Sequence, residues 1–500
     1  MYSIHVDRGG HSSPAKVGTW RSLVLRIVPF ATLLTALPTD TATAMDPSLP
    51  PSADTYALGQ VGVRHFLVDG SGEPFFSVGL NDVWPAREAQ VPLARRFHGS
   101  IDAWADDALV HVQSLEFNTI GAVRYDADLS RSRTLRRPQT SMPFTVAFEP
   151  TLTSPGSGIT VDGRPDIFED AWEDRFKVIA RETVSSVADN PNLIGYFLAD
   201  DLDVAVYGPR AAWWKALLSR PGPSPARDLW ADIIRDRHPG PGANVYRAAR
   251  LYRKASRILG AGRQLRAILP EERDALDALA HAVDKGHPAN WADIAAETDV
   301  DALELRARVD PRVYADIEVF VAFLAARYHE IAYNAIRAVD KNHLILGGRL
   351  PAGHAEQIPD AVVEALAPHL DVISVRVYID PRSKHDVRRV QEDLRRIHRL
   401  SGKPILVSGW GGFHGQDVGR CPCVIPVPDQ KTRGDLYAQG LELLTREPYV
   451  IGAHFDAYGD RNGVNWGLVD EQLLPRQELA HTVAAANRAA AASVLSSRTP

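Results

Sequence analysis

The chain has 500 residues, of which 45% are hydrophobic and 24% are charged, and its formal net charge is -6. This composition is typical of globular proteins and excludes a fibrous or mainly disordered chain. Acidic and basic residues are interspersed, so the chain lacks the basic field that would hold a phosphate backbone, and we expect no nucleic-acid partner. The only cysteines are Cys421 and Cys423, which excludes a disulfide framework and a CxxC zinc site. They are interpreted as incidental loop thiols, with a strained local bridge or an intermolecular link as the alternative.

The N-terminal segment has the pattern of a signal peptide. Basic residues (Arg8, Lys16, Arg21 and Arg26) precede an apolar run from Ile27 to Leu37, and small residues follow up to Ala44. We therefore predict a signal peptide over residues 1–44 and a secreted or periplasmic protein. The alternative is a disordered start of a cytoplasmic protein, because the basic leader is long and Pro29 interrupts the run. No later segment reaches the ~20 apolar residues of a spanning helix, so we expect no membrane span.

Short β-rich runs alternate with longer helical patterns after residue 45, which indicates a parallel sheet. Residues 45–74 are predicted to form a linker and a β-hairpin whose turn lies at Asp69 to Gly72. The eight candidate strands are Phe75 to Leu80, Asn118 to Val123, Phe144 to Phe148, Leu193 to Leu198, His343 to Gly347, Asp371 to Val377, Pro404 to Ser408 and Val450 to Phe455. No glycine-rich phosphate motif follows a strand, so we predict an α/β fold, a (β/α)₈ TIM barrel over residues 75–490 with a tail at 491–500, rather than a doubly wound sheet.

A long segment separates the fourth candidate strand from the fifth. About 145 residues lie between Leu198 and His343, and residues 205–308 are predicted to form a helical insertion beside the barrel mouth. Apolar residues at helical spacing predict a barrel helix from Ala315 to Val339. Trp213 and Trp214 in the insertion are either sugar platforms or core residues, and aromatic residues on helices are more often core.

Acids, aromatics and one histidine follow several predicted strands. The fourth strand ends as Gly195-Tyr-Phe-Leu-Ala-Asp-Asp-Leu, the sixth as Ser374-Val-Arg-Val-Tyr, the seventh as Val407-Ser-Gly-Trp-Gly-Gly and the eighth as Gly452-Ala-His-Phe-Asp-Ala-Tyr-Gly-Asp. Because the C-terminal ends of barrel strands form the active site, we expect these side chains to converge. No His/Asp/Glu group has metal-ligand spacing, so we expect no metal and no cofactor.

Motifs on successive strands resemble those of β-agarases, clan-A glycoside hydrolases of the family 50 kind. They are Phe75-Phe-Ser-Val-Gly-Leu-Asn, Phe117-Asn-Thr-Ile-Gly, Asn190-Pro-Asn-Leu-Ile-Gly-Tyr-Phe, Asn342-His-Leu-Ile-Leu-Gly-Gly-Arg, Gly402-Lys-Pro-Ile-Leu-Val-Ser and Gly452-Ala-His-Phe. The match runs from about Leu58 to Arg488. The resemblance implies a retaining hydrolase of β-linked galactan-type polysaccharide, with an acid/base glutamate after the fourth strand and a nucleophilic glutamate after the seventh. Retaining chemistry needs the two carboxyl groups ~5 to 5.5 Å apart.

The chain departs from the family at both catalytic positions. Asp201 stands at the acid/base position, where its reach is shorter by ~1.5 Å, and Asp200 replaces a neutral amide expected to bind a sugar hydroxyl. The alternative is that the two acids point apart and cap the following segment. Gly409 stands at the nucleophile position and has no side chain that could attack a sugar.

Other positions keep the residues that the resemblance implies for sugar contact. They are Asn81, Arg349, Tyr378 beside the nucleophile position, Trp410, His454 and Asp460. A buried structural histidine is the alternative for His454.

These departures leave several functions open. An inverting hydrolase needs only an acid and a base ~6.5 to 9.5 Å apart, which Asp201 and either Asp456 or Asp460 would supply. Asp456 stands where the family usually carries an amide, so the carboxylate is a possible substitute. A pseudo-glycosidase that binds glycan without turnover is a further hypothesis, and a partner-binding protein that uses the inserted helices is a third. We expect a polysaccharide or oligosaccharide partner.

Overall fold

The computed structural model describes residues 55–84, 89–124, 142–147, 160–161, 164–198, 212–219, 224–238, 291–296, 299–353, 358–414, 425–460 and 465–493. The predicted signal peptide, Asp200, Asp201, Cys421 and Cys423 lie outside the described residues.

The strands, in chain order, are β1 (Ala57–Val61), β2 (Arg64–Val68), β3 (Pro74–Phe75), β4 (Ser77–Asn81), β5 (Thr119–Arg124), β6 (Phe144–Ala147), β7 (Thr160–Val161), β8 (Arg164–Pro165), β9 (Leu193–Phe197), β10 (Leu344–Gly347), β11 (Leu350–Ala352), β12 (Ile373–Val377), β13 (Ile405–Gly411), β14 (Phe413–His414), β15 (Ile425–Pro426) and β16 (Val450–Asp456). Every predicted barrel strand overlaps an observed strand. The first divides at Phe76, and the seventh and eighth extend to Gly411 and Asp456.

A nine-stranded parallel sheet forms the centre of the fold, in the order β10-β9-β6-β5-β4-β16-β13-β12-β11. The strands at its two ends, β10 and β11, are consecutive in the chain and only Gly348 and Arg349 separate them. Gly347 and Arg349 have positive φ angles of 80° and 53°, which turn the chain sharply there. The sheet is therefore curled, with its two ends joined, and this arrangement is compatible with the predicted TIM-like barrel.

An N-terminal hairpin lies at one end of this sheet. β1 pairs with β2, and β2 pairs with β3, in antiparallel fashion. The Asp69 carboxylate closes the β2–β3 turn by accepting from the backbone N–H groups of Ser71 at 2.9 Å and Glu73 at 3.0 Å. The His65 N–H donates to the carbonyl of Pro448, just before β16, at 2.7 Å. The hairpin therefore lies at the N-terminal ends of the sheet strands and leaves the C-terminal ends to the site.

The helices are α1 (Gln90–Phe97), α2 (Ile101–Ser114), α3 (Asp170–Ser185), α4 (Ala212–Ser219), α5 (Pro225–Arg237), α6 (Trp291–Ala296), α7 (Val300–Val309), α8 (Pro311–Arg337), α9 (Asp360–Leu366), α10 (Lys384–Ser401), α11 (Gln430–Thr445) and α12 (Gln477–Ala492). α8, which matches the predicted barrel helix, begins where Asp310 caps its N-terminus and Pro311 takes the first position. Within the described part of the chain, no helix is long and apolar enough to cross a membrane.

Apolar side chains pack on both faces of the curled sheet. One cluster includes Leu67 of the hairpin together with Ile194, Leu346, Leu406 and Ile451 from strands around the sheet. The larger cluster lies between the sheet and the helices. It includes Trp213 and Trp214, whose side chains have no exposed surface, so these residues are core rather than sugar platforms.

Candidate functional site

The carboxylate of Asp456, at the C-terminal end of β16, is held by side chains from neighbouring strands. Asn81 Nδ2, at the end of β4, donates to Asp456 Oδ1 at 2.6 Å and to the carbonyl of Ser408 at 2.7 Å. The Tyr378 hydroxyl, just after β12, donates to Asp456 Oδ2 at 3.2 Å. Asp456 is only 3% exposed, so both of its oxygens take partners from the protein. The structure thus brings together Asn81, Tyr378 and Asp456.

Two guanidinium groups flank this carboxylate. Arg349 Nη2 lies 3.9 Å from Asp456 Oδ1 and donates to the carbonyl of Ser408 at 2.9 Å. Arg376 Nη2 lies 3.6 Å from Asp456 Oδ2. Their positive charges offset the cost of burying the carboxylate. Arg376 was not predicted from the sequence, although it precedes Tyr378 by two residues and therefore shares its side of the strand.

The space beside Gly409 is filled by this same group. A Cβ atom on Gly409 would lie 2.6 Å from Asp456 Oδ2, 3.1 Å from Arg349 Nη2 and 3.2 Å from Arg376 Nε. A contact of 2.6 Å between carbon and a carboxylate oxygen is too short to be tolerated. A side chain at residue 409 would therefore displace the Asp456 carboxylate, so the residue type at 409 and the position of Asp456 are physically linked.

Tyr378 keeps its proton at neutral pH. Burial, followed by the negative charge of Asp456, raises the pKa of its hydroxyl well above the usual range. The hydroxyl is therefore a donor to the carboxylate throughout the ordinary pH range, and it helps to fix the direction in which Asp456 points.

His454 lies inside the sheet and is uncharged. Its side chain has no exposed surface, and Nε2 lies 2.8 Å from Ser77 Oγ, which itself donates to Thr119 Oγ1 at 2.8 Å. Burial, and then the charge of Arg349, lower the pKa of His454 to about 3. A neutral, enclosed imidazole is not an acid/base group at neutral pH, so its place is structural.

Trp410 lies on the opposite face of β13 from the Asp456 carboxylate. It has no exposed surface, and its ring centroid lies 4.9 Å from that of Tyr437 in α11 and 5.3 Å from that of Phe455. Side chains alternate across a strand, and Gly409 takes the position beside the carboxylate. The expectation that Trp410 contacts sugar does not agree with this position, because the side chain is part of the core between sheet and helix.

Asp460 has partners of its own. Its Oδ1 accepts from the N–H of Gly467 at 2.7 Å, and its Oδ2 accepts from Arg476 Nη2. These partners differ from those of Asp456, so the structure places the two aspartates in separate groups. Among the described residues, no three His, Cys, Asp or Glu side chains are grouped as a metal site would require.

Comparisons with known proteins agree with the resemblance in the motifs. No family model matches the chain. Over 180 residues it is 25% identical to Beta-agarase B of Vibrio sp. (strain JT0107), a match that covers 34% of this chain and 16% of that protein.

Solved structures extend the likeness to most of the chain. An exo-β-agarase superposes with a TM-score of 0.62 at 18% identity, covering 89% of this chain and 66% of that one. The agarase AgWH50C gives a TM-score of 0.59 at 16% identity, covering 88% and 65%. The chain therefore spans about two thirds of these enzymes and a much smaller part of the curated relative. Its resemblance to β-agarases is confirmed, and it shares their fold.

Proposed function

We propose that this agarase-like chain is a glycoside hydrolase of β-linked, galactan-type polysaccharide, in which Asp456 supplies the carboxylate that Gly409 lacks. The observation that carries the proposal is the 2.6 Å between Asp456 Oδ2 and the position of a Cβ on residue 409. The motifs place the catalytic glutamate of the family at that residue, so a carboxylate is retained there from the neighbouring strand. The likeness in fold to agarases supports the substrate class.

The architecture that we propose is a (β/α)₈ barrel over residues 75–490. β10 and β11 together form its fifth strand, and residues 205–308 form an insertion beside the mouth. Asn81, Tyr378 and Asp456 all lie at or just beyond C-terminal strand ends, where barrel enzymes bind their substrates. The signal-peptide pattern of residues 1–44 supports the proposal that the protein is exported.

Asp456 acts as a general base in this proposal. It takes a proton from a water molecule whose oxygen attacks the anomeric carbon, while Asp201 donates its proton to the leaving glycosidic oxygen as the bond to the sugar breaks. This is inverting chemistry, which needs no covalent intermediate but requires the two carboxyl groups to lie ~6.5 to 9.5 Å apart, so that the water fits between them. Asn81 and Tyr378 hold the base by donating to its two oxygens.

A glycan-binding protein without turnover is the second candidate. The observation that favours it is that Asp456 is almost fully buried and that both of its oxygens already accept hydrogen bonds. A carboxylate held in this way positions its neighbours instead of reacting. The cleft would then recognise polysaccharide through the surrounding strand ends.

The test compares the parent protein with Asp456→Asn and with Asp435→Asn, a control at an exposed ion pair of α11. Each is incubated with agarose-type and other β-galactan oligosaccharides, and new reducing ends and binding heat are measured. We expect the parent and the control to release reducing ends of inverted configuration, and Asp456→Asn to be slower by roughly 10²- to 10⁴-fold. Saturable binding without release by the parent would favour the second candidate, and neither binding nor release would overturn both.

A further inference from the structure

A second group of charged residues lies beyond the C-terminal ends of β13 and β16. It consists of His414 in β14, Asp460 after β16, Arg433 in the first turn of α11 and Arg476 just before α12, and is called the Arg433 cluster below. His414 and Arg433 are each 1% exposed, and Asp460 is 6% exposed. The proposed hydrolytic chemistry makes no use of these residues.

Arg433 has an edge of its guanidinium group that lacks an acceptor. Nη1 donates to Gln430 Oε1 at 3.1 Å and to the carbonyl of Gly467 at 2.8 Å. Nε and Nη2 are fully buried and have no hydrogen-bond partner among the residues that the structure describes. These two donors form the fork edge that normally binds an anion through two parallel hydrogen bonds.

Among the described residues, the other members of the cluster supply no acceptor that reaches this edge. Arg476 donates through Nη2 to Asp460, while its Nε is buried and meets no partner in the described part of the chain. His414 Nε2 is also buried and has no partner within the described ranges. The Asp460 carboxylate is occupied by Arg476 and by the N–H of Gly467. Leaving buried donors without acceptors costs about 1 to 3 kcal/mol each.

The charges of the cluster do not balance among the described residues. Arg433 and Arg476 carry two positive charges, and Asp460 carries one negative charge. Burial, then the charge of Arg476, lower the pKa of Arg433 to about 9, which leaves it protonated at neutral pH. Burial, and then the positive charge of Arg433, lower the pKa of His414, so the histidine is neutral at neutral pH. The cluster therefore keeps an excess of one positive charge in a buried environment, which is costly without a counter-ion.

We propose that the Arg433 cluster binds a small inorganic anion, of the size of chloride, on the Nε/Nη2 edge of Arg433. A water molecule would accept from these donors but would not balance their charge. A charged substituent of a polysaccharide is larger and attached to a chain, whereas the donors of Arg433 have no accessible surface. The anion would tie the segment after β16 to the start of α11, independently of any hydrolytic activity.

The test uses the full chain in chloride-free buffer at constant ionic strength, with gluconate replaced stepwise by bromide or chloride. We expect the thermal unfolding temperature to rise saturably with either halide. Arg433→Met should lose this dependence, whereas Arg488→Met, at an exposed ion pair with Glu116, should keep it. A crystal of the unmodified protein grown with bromide should give an anomalous peak within hydrogen-bonding distance of Arg433 Nε and Nη2.

Each other outcome argues against the proposal. No halide dependence and no anomalous peak would mean that water alone meets these donors. A preference for sulfated over neutral galactan oligosaccharide that disappears in Arg433→Met, without a bromide peak, would assign the cluster to the polysaccharide instead. If Arg433→Met does not fold, Arg476→Met takes its place as the variant that should lose the halide dependence. The anomalous measurement on the unmodified protein needs no variant.

Discussion

Substitution of Gly409 by alanine tests the packing at the candidate site. The added methyl group would lie 2.6 Å from Asp456 Oδ2, so the carboxylate has to retreat by about 0.5 Å or more. Arg349 Nη2 and Arg376 Nε lie 3.1 and 3.2 Å from the same point and leave little room for that movement. The Cβ atom of a glutamate at residue 409 would make the same close contact, so Gly409→Glu alone would also displace the Asp456 carboxylate.

The expected loss of stability in Gly409→Ala has two contributions. Overpacking a well-packed site costs about 1 to 3 kcal/mol. The retreat also lengthens the 2.6 Å bond from Asn81 to Asp456, and a hydrogen bond to a charged group contributes about 1.5 to 3 kcal/mol. Because the strain is relieved in part by the movement, we expect Gly409→Ala to lower the free energy of unfolding by about 1 to 3 kcal/mol. Since a displacement near 1 Å costs about 100-fold in rate, we also expect kcat to fall by roughly 10-fold or more.

The assay is urea unfolding followed by tryptophan fluorescence, together with reducing-end release at saturating oligosaccharide. Gly434→Ala in α11 is the matched control, because its Cβ would make ordinary contacts of 3.4 Å with Leu479 and Thr482. Alanine is better than glycine inside a helix by ~1 kcal/mol, so the control should be at least as stable as the parent. A Gly409→Ala protein that matches the parent in stability and rate would refute the described packing of Asp456 against residue 409.

Three further predictions concern neighbouring residues. Tyr378→Phe removes the 3.2 Å bond to Asp456 and should lower the free energy of unfolding by about 0.5 to 1.5 kcal/mol and kcat several-fold, as urea unfolding and reducing-end assays would show; an unchanged kcat would argue against a positioning role. His454 has a pKa of about 3 when folded and ~6.5 when unfolded, so the unfolded chain gains the proton first on acidification. The contribution of His454 to the free energy of unfolding should therefore be constant above pH ~6.5 and fall as the pH is lowered towards 3. His454→Asn should reduce that slope by up to ~1.4 kcal/mol per pH unit in urea titrations, and an unaltered slope would contradict a buried neutral imidazole. Trp410→Ala should lower the free energy of unfolding by about 3 to 5 kcal/mol with KM of the folded protein unchanged, whereas a raised KM in a stable Trp410→Phe control would restore a sugar-binding role.

Hydrophobic runs in the sequence located eight of the nine strands of the central sheet, whereas β11 (Leu350–Ala352), only three residues long, was not predicted. Strands buried on both faces contain continuous aliphatic runs, such as residues 344–346 and 405–407, and these stand out between helical patterns. The predicted ends fell short where polar residues continue a strand: Asp456 belongs to β16 although hydrophobicity ends at Phe455. β1 was missed because its residues are mostly exposed and carry little pattern.

The site was only partly predictable because its contacts depend on register between strands. The sequence nominated Asn81, Tyr378 and Asp456 separately, but their hydrogen bonds arise from the pairing of β4 with β16 and of β12 with β13. Alternation along β13 was available as a signal that Gly409 and Trp410 face opposite sides of the sheet. The close approach of Asp456 to Gly409, by contrast, depends on a bulge in the β13–β16 pairing that the sequence does not reveal.

Azide rescue of Asp456→Ala tests most directly whether Asp456 carries the reaction. The parent should release reducing ends from β-galactan oligosaccharide, and Asp456→Ala should lose this activity by roughly 10²-fold or more, since the base is removed. Added azide needs no base and fits the space left by the carboxylate, so it should attack the anomeric carbon and give a glycosyl azide of inverted configuration, detectable by mass spectrometry and proton NMR. Hydrolysis by Asp456→Ala at the rate of the parent, with or without azide, would contradict the assignment of the catalytic carboxylate to Asp456.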